Sequence, residues 1–397
     1  MSDLRVDGFQ FSAARAGIRG KDRLDVALIY CEKEAEAAAV FTENRVKAAP
    51  VLLGMDRVKN GRLQAVMINS GIANACTGDE GMARAKAAAG MAAEALGISE
   101  ELVLVSSTGV IGMQLDMSCF EKAVPLLVAA KSSDGAQQLA QAIMTTDTVE
   151  KTAVRKIRIG DKNVTVVGIA KGAGMIMPNM ATMLCFIMTD VNIQAAVLQG
   201  LLEKAVNKSF NRITVDGDTS TNDTVLALAS GMAANDRLES PDLPGAALFA
   251  ECLADLCLDL ALQIVADGEG AGKLVTIKVH GARNEKEADS AARTVANSPL
   301  VKTAFFGQDA NWGRIIAALG RSEADFDPLQ VDISFDNVKM VQDGLGQGAG
   351  AEKEATAVLR KDAFTILIDL KNGSASGEVY TCDFSIDYVK INADYRS

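Results

Sequence analysis

The 397-residue chain contains a single histidine, His280, and this scarcity restricts the chemistry open to it. Every serine–histidine–aspartate or cysteine–histidine catalytic arrangement would have to use this one imidazole, and a metal site with several histidine ligands is excluded. His280 directly follows an apolar–polar alternation over residues 274–279, which favours a position at the end of a strand over a catalytic role. If the protein is an enzyme, we therefore expect its general base to be a group other than imidazole.

Cysteine pairs and long apolar runs are also missing. The seven cysteines are scattered and none belongs to a Cys-x-x-Cys pair, so neither a zinc knuckle nor a dithiol redox motif is indicated. The first ten residues carry charges, unlike a signal peptide, and Glu251, Asp255 and Asp259 interrupt the most apolar helical stretch at four-residue spacing. We expect a cytoplasmic protein with reduced cysteines and no membrane contact.

Positive charge is in short supply, since 40 Lys and Arg residues stand against 51 Asp and Glu residues, a net charge of −11. This balance opposes binding to nucleic acid. The composition, 49% hydrophobic and 23% charged, is that of an ordinary globular chain long enough for two domains.

Helical and strand patterns alternate along the chain and predict a mixed α and β fold. The final stretch, residues 377–392, alternates apolar and polar side chains and predicts a long, half-exposed strand. A strand pattern ends in His-Gly-Ala-Arg-Asn at 280–284, so we place a domain boundary near residue 281. The predicted domains are residues 1–281 and residues 282–397.

Two glycine-rich segments imitate nucleotide-binding loops. Residues 268–273 (GEGAGK) are one residue too short for a phosphate loop, and Leu274 replaces the Ser or Thr that would hold magnesium. The segment from Gly344 to Gly350 follows a strand pattern and precedes a helical pattern, and Asp369 stands near the distance expected for a ribose contact. A hairpin connection is the favoured interpretation because the preceding strand pattern is short and polar. A nucleotide-binding regulatory module stays an alternative.

The most unusual segment runs from Lys171 to Asp190. A glycine loop leads through Pro178 and Asn179 into Thr182, and an apolar strand pattern follows at once. This order would place a hydroxyl at the start of a rigid strand, although a plain loop before a buried strand would have the same pattern.

The same segment resembles the signature of the ornithine acetyltransferase family, the bifunctional glutamate N-acetyltransferases of arginine biosynthesis. The resemblance covers nearly the whole chain, because several further motifs occur in the family's order. These are FTENRV at 41–46, NSGIANACTG at 69–78, STGVIG at 107–112, MTTDT at 144–148, VDGDTSTND at 215–223, DGEGA at 267–271, NWGR at 311–314 and NADYRS at 392–397.

The resemblance implies a precursor that cuts itself between Ala181 and Thr182, after which fragments 1–181 and 182–397 stay associated. Thr182 would then be the nucleophile, and its newly formed α-amino group would be the base. An α-amino group has an ordinary pKa of about 7.7–8.0, close to the pH at which a general base must work. No histidine is needed in such a mechanism.

Further site residues are implied by the same motifs. Thr108 and Gly109 match an oxyanion-stabilising pair. Lys171 would be a local cation for an anionic amino acid, and Glu269 would pair with the ammonium group of ornithine. The residues that match substrate-contacting positions are Thr145 (preferred over Thr146), Lys171, Thr182, Glu269, Asn392 and Ser397.

The implied reaction is a ping-pong transfer of an acetyl group from N-acetylornithine to glutamate, with neither a metal nor an organic cofactor. Whether acetyl-coenzyme A is a second donor stays open. The implied fold is α+β, a layered α/β/β/α sandwich with mixed sheets and a smaller C-terminal α/β domain whose tail returns to the active site. The family also implies a higher homo-oligomer.

Two positions depart from the family pattern. Ile72 replaces the usual asparagine and removes a polar contact near the site, whereas Ala310 replaces a proline and should change only loop stiffness. A self-processing amidase or aminopeptidase of similar architecture stays an alternative, because attack by water in place of glutamate would turn transfer into hydrolysis.

Overall fold

The computed structural model describes residues 3–20, 22–177 and 183–393. The predicted cleavage site, Ala181 and Thr182, and the predicted substrate residue Ser397 lie outside these ranges. The chain divides into two compact units, which are described separately. Unit 1 comprises residues 1–211 and 218–264, and unit 2 comprises residues 212–217 and 265–397.

Unit 1 holds the first eight strands and six helices found in the described ranges. They are β1 (Phe9–Ala14), β2 (Val26–Phe41), α1 (Ala49–Arg57), β3 (Arg62–Ile72), α2 (Gly78–Leu96), β4 (Val103–Val110), α3 (Met117–Ala130), α4 (Ala136–Ile143), β5 (Lys151–Ile159), β6 (Lys162–Lys171), β7 (Leu184–Thr189), α5 (Ala195–Lys208), β8 (Thr224–Ala229) and α6 (Pro244–Ala266), the last two residues of which belong to unit 2.

The eight strands of unit 1 form one mixed sheet in the order β4-β3-β2-β8-β7-β6-β5, with β1 paired to β2. Pairs β3–β4 and β7–β8 are parallel, and the remaining neighbours are antiparallel. Strand β2 is 16 residues long and its register with β3 shifts between Tyr30 and Ala35. Its first part pairs with β1 and β3, and its last part, residues 36–41, pairs with β8.

Apolar side chains from both halves of this sheet share one core. Strands β1–β3 and strands β6–β8 contribute to it together with α4. Helices α2 and α3 cover the other face of β2–β4, and α6 places Leu256 and Leu260 over Gly168 of β6. Strands β3, β7 and β8 are buried on both faces and carry nearly continuous apolar runs. The mixed α/β class is confirmed, and these layers agree with the expected sandwich.

Unit 2 contains a second mixed sheet flanked by five helices within the described residues. Its elements are β9 (Leu274–Ala282), α7 (Glu285–Ala296), α8 (Pro299–Phe306), α9 (Trp312–Leu319), β10 (Asp332–Phe335), β11 (Val338–Gln342), β12 (Leu345–Gly346), α10 (Ala349–Val358), β13 (Ala363–Asp369), β14 (Ala375–Cys382) and α11 (Ile386–Ala393). The strand order is β12-β11-β10-β13-β9-β14, and only β9 and β13 are parallel neighbours among these strands.

The pairing of strand β9 places the boundary between the units earlier in the chain than predicted. It pairs with β13 and β14, so it belongs to the interior of the second sheet. The structure therefore divides the chain at 264/265, 17 residues (281 − 264) before the boundary predicted at 281. As the alternation predicts, Val275, Ile277 and Val279 are buried, and His280 is half-buried near the end of the strand.

The predicted long strand over 377–392 is wrong in its second half. Strand β14 ends at Cys382 and α11 begins at Ile386. The reason is a local cap: the Ser385 hydroxyl accepts a hydrogen bond from the Tyr388 backbone N–H at 3.3 Å, which favours the start of a helix over further extension.

The glycine-rich segment from Gly344 lies in a tight hairpin, as favoured. Strands β11 and β12 pair antiparallel, with Val341 opposite Gly346 and Gln342 opposite Leu345. The strand after α10, β13, pairs antiparallel with β10. Strand β10 separates β11 from β13, so the unit of two adjacent parallel strands joined by a helix that is typical of dinucleotide binding is not formed around this loop.

Across the described ranges, no helix is long and apolar enough to cross a membrane. Within the same ranges, no cluster of three or more His, Cys, Asp or Glu residues could hold a metal ion.

Candidate active site

The predicted oxyanion pair lies near the carboxyl end of β4. Thr108 pairs with Ser70 and Gly109 with Gly71 in the parallel ladder between β3 and β4. Gly109 has φ +132°, and a Cβ atom added there would be 2.2 Å from the carbonyl carbon of Gly71, so only glycine fits. Strand β4 continues through both residues to Val110.

Lys171 ends β6 and points its ammonium at two threonine hydroxyls. Its Nζ donates to Thr145 Oγ1 at 2.7 Å and to Thr108 Oγ1 at 3.4 Å. Lys171 and Thr108 are buried, and Thr145 is half-buried. Because each threonine oxygen accepts from the ammonium, its own hydroxyl proton stays available for another acceptor. The structure thus brings three of the predicted site residues together in unit 1.

Two buried charged residues that the sequence analysis did not single out lie behind Lys171. Asp147 Oδ2 is 3.7 Å from Lys171 Nζ, and Asp147 Oδ1 is 2.8 Å from Lys151 Nζ. Burial raises the pKa of Asp147, but the charges of Lys171 and Lys151 together with hydrogen bonds hold that pKa below its ordinary range. Asp147 lies inside the MTTDT motif, so it had a signal, whereas nothing in the sequence around Lys151 marks it.

The chain just after the predicted nucleophile is anchored by a second buried carboxyl. The Met183 backbone N–H, which follows Thr182 directly, donates to Asp223 Oδ1 at 2.9 Å. Leu184 pairs with Lys171 in the ladder between β6 and β7. Burial raises the pKa of Asp223 well above its ordinary range, although the Met183 N–H opposes this. No described residue donates a hydrogen bond to Asp223 Oδ2.

An asparagine side chain ties the VDGDTSTND segment to β4. Asn222 Nδ2 donates to the carbonyl of Ser107 at 2.9 Å and to the carbonyl of Ala73 at 2.6 Å. These bonds link the residues that precede β8 to the strand that carries Thr108. Ile72, which departs from the family pattern, packs in the apolar core beside α2 and α3.

Unit 2 brings two further predicted residues together. Asn392 Nδ2 of α11 donates to Glu269 Oε2 at 2.7 Å, and Glu269 is buried rather than solvated. Helix α11 lies close to this loop, since a Cβ on Gly270 would be 2.5 Å from the Tyr388 backbone nitrogen. Ala310, the second departure, is buried in the core of unit 2.

A buried ammonium beside two hydroxyls, next to a strand end where only glycine fits, can stabilise an oxygen that becomes negative during attack on a carbonyl. Fold and site together define a mixed α/β enzyme of the acyl-transfer class. The ArgJ family profile matches residues 10–397, and the chain belongs to the ArgJ family. It is an acyltransferase of arginine biosynthesis that acts on small molecules.

Curated relatives match the chain from end to end. It is 55% identical over 394 residues to the arginine biosynthesis bifunctional protein ArgJ of Desulfotalea psychrophila, covering 99% of this chain and 100% of that protein. Identity to the protein of the same name from Geobacter sulfurreducens is 53% over 394 residues, with the same coverage. A crystal structure of arginine biosynthesis bifunctional protein argJ from Bacillus halodurans is 46% identical with a TM-score of 0.51, and covers 52% of this chain and 97% of that one.

Proposed function

We propose that this enzyme transfers an acetyl group from N-acetylornithine to glutamate through an acetyl-Thr182 intermediate, after cutting itself between Ala181 and Thr182. The observation that carries the proposal is the cluster of Lys171, Thr108 and Thr145 at the end of β6. The strand paired with β6 begins at residue 184, two residues after the proposed nucleophile.

The first half-reaction forms one bond and breaks one bond. The α-amino group of Thr182 takes the hydroxyl proton as Oγ attacks the acetyl carbonyl, and the Thr108 hydroxyl and the Gly109 N–H stabilise the resulting oxyanion. The carbon–nitrogen bond to ornithine then breaks, and the leaving amine receives the proton from the Thr182 ammonium. Glutamate reverses these steps through its own amine and leaves as N-acetylglutamate.

The fragments would stay together after the cut because the main sheet joins them. Residues 166–171 of β6 pair antiparallel with residues 184–189 of β7, so the cut would fall between two hydrogen-bonded strands. The Bacillus halodurans structure supports a cut near mid-chain, since 97% of that chain matches only 52% of this one. Fragment 182–397 would be 216 residues long (397 − 181), or 54% of the chain.

Each unit would offer a charged group to a substrate, a cation in unit 1 and a carboxylate in unit 2. Lys171 offers a positive charge to the carboxylate of the amino acid, and Glu269 with Asn392 would bind the ammonium group of ornithine. Ser397, the last residue, belongs to the same proposed set. No step uses a metal or an organic cofactor, and the enzyme would assemble as a higher homo-oligomer.

The experiment follows cleavage and transfer in the same samples. The wild-type protein should run as two fragments on a denaturing gel and form N-acetylglutamate from N-acetylornithine and glutamate. Thr182→Ala should give a single uncut chain without transfer, and Thr182→Ser, which keeps a hydroxyl, should keep both reactions in part. Transfer by the alanine variant, or release of acetate without N-acetylglutamate, would overturn the proposal, and the second result would favour an amidase.

A further inference from the structure

We propose that Asp147 and Lys151 are positioning residues that hold the Lys171 ammonium between the hydroxyls of Thr108 and Thr145 and set the charge of this cluster. The inference rests on the acetyl transfer proposed above and deepens it. It assigns a role to two side chains that do not themselves touch the reacting atoms.

The Asp147 carboxylate is bound on both oxygens. Oδ1 accepts from Lys151 Nζ at 2.8 Å and from the Gly172 N–H at 2.7 Å. Oδ2 accepts from the Thr145 N–H at 2.9 Å and lies 3.7 Å from Lys171 Nζ. The carboxylate therefore fixes the backbone of the residue that carries one hydroxyl, the backbone next to the lysine, and the lysine head group itself.

Burial makes these charges matter. The side chains of Asp147 and Lys151 are 0% exposed and that of Lys171 is 3% exposed, so water screens their interactions poorly. Two ammonium groups and one carboxylate sum to one positive charge. Removing the positive charge of Lys151 lowers that sum, whereas removing the negative charge of Asp147 raises it and forces two buried ammonium groups to repel each other.

Two other charged groups face this cluster. The Arg19 guanidinium donates to the carbonyls of Met144 and Thr145 at 2.6 and 3.2 Å. The Asp223 carboxyl interacts with the Lys171 charge, but burial raises its pKa and favours its neutral form. Neither group is changed in the variants below, so their contributions cancel in the comparison.

The position of Lys171 also sets the direction of the Thr108 proton. Since Thr108 Oγ1 accepts from Lys171 Nζ, its hydroxyl hydrogen must point to a different acceptor, and the developing oxyanion of the substrate is the acceptor that catalysis requires. A lysine that loses its proton can no longer impose this direction. The charge state of Lys171 should therefore control the alkaline limb of the pH–rate profile.

The test compares two single variants with their combination. Asp147→Asn should lower kcat and move the alkaline limb to lower pH, because the repelled Lys171 loses its proton more easily. Lys151→Met should raise KM for glutamate about tenfold and move the alkaline limb to higher pH. In the double variant Lys171 alone again supplies one positive charge, so activity should recover above that of either single variant.

Controls separate charge from folding. Lys156→Met removes the same charge from an exposed position of the same strand, β5, and should leave KM and the pH profile unchanged. Lys151→Arg keeps the charge and should keep KM near the wild-type value. If Asp147→Asn does not fold, the two Lys151 variants still test the inference, because the Met variant should have a higher KM for glutamate than the Arg variant.

This inference would be overturned if the alkaline limbs of the two single variants moved in the same direction, or if the double variant were no better than the worse single variant. Equal KM values for the Met and Arg variants of Lys151 would also overturn it. Such results, with wild-type transfer and Thr182 acetylation intact, would leave the proposed function standing. If Thr182 is instead not the nucleophile, the Thr182→Ala variant will still transfer the acetyl group.

Discussion

Replacing Thr108 by valine removes a single hydroxyl while nearly preserving the shape of the side chain. Thr108 is 4% exposed, and because valine has nearly the same shape, the substitution leaves no cavity at this buried position. Lys171 loses its longer contact, at 3.4 Å, and keeps the shorter contact, at 2.7 Å, to Thr145. The perturbation therefore acts chiefly on the proposed oxyanion donor.

The expected effects on rate and on stability differ widely. Removal of one oxyanion donor costs about 10²–10³ in kcat, or roughly 2.7–4 kcal/mol. The lost hydrogen bond of Thr108 to Lys171 should lower the free energy of unfolding by only about 1 kcal/mol. A large loss of rate with a small loss of stability would thus identify the hydroxyl as catalytic rather than structural.

The assay measures transfer from N-acetylornithine to glutamate, the extent of self-cleavage, and the free energy of unfolding. Thr165→Val is a matched control, since Thr165 is a half-buried threonine at the opposite end of the strand that carries Lys171. The control should keep wild-type kcat. A Thr108→Val enzyme within about threefold of wild-type kcat would refute the oxyanion role.

Three further predictions follow from described contacts. Gly109→Ala should lower the free energy of unfolding by about 2–5 kcal/mol and abolish cleavage, because the new Cβ would be 2.2 Å from the carbonyl carbon of Gly71. An unfolding free energy within about 0.5 kcal/mol of wild type would contradict this. Asp223→Ala should slow self-cleavage about tenfold by releasing the Met183 N–H. Asp223→Asn keeps an acceptor for this N–H and should cut faster than the alanine variant. Equal cleavage rates would count against the role of the Asp223 carboxyl in holding Met183. Burial raises the pKa of Asp190 from 3.8 to about 6, so folding retains a proton that the unfolded chain releases, and stability falls as pH rises across that interval. Asp190→Asn lacks this penalty, and its Tm minus that of wild type should grow between about pH 3.8 and pH 6 and then level off; a difference independent of pH would show that the carboxyl is not perturbed.

Local side-chain patterns predicted strands β7 and β9. The continuous apolar run of β7 required a strand in any arrangement, and the alternation of β9 required one buried face. Helix α11 was not predicted because its residues fit the two-residue period of a strand almost as well as a helical period. The feature that distinguishes the helix is the cap at its start. The Ser385 hydroxyl accepts a hydrogen bond from the backbone N–H of Tyr388, three residues later.

The site was predictable only in part. The family motifs pointed to Thr108, Thr145 and Lys171, which the fold brings together from β4, the loop after α4, and β6. Lys151 carries no local signal, because a lysine at the first position of a strand is ordinarily exposed. Its burial against Asp147 follows from tertiary packing, which no single segment of the sequence contains.

In the proposed reaction, Thr182 carries the acetyl group between the two substrates. Mass spectrometry of the denatured protein, after mixing with N-acetylornithine in the absence of glutamate, tests this most directly. We expect the fragment starting at Thr182 to gain the mass of one acetyl group on its first residue, and added glutamate to remove it. Acetyl transfer with no covalently modified fragment, or with the acetyl group on another residue, would contradict it.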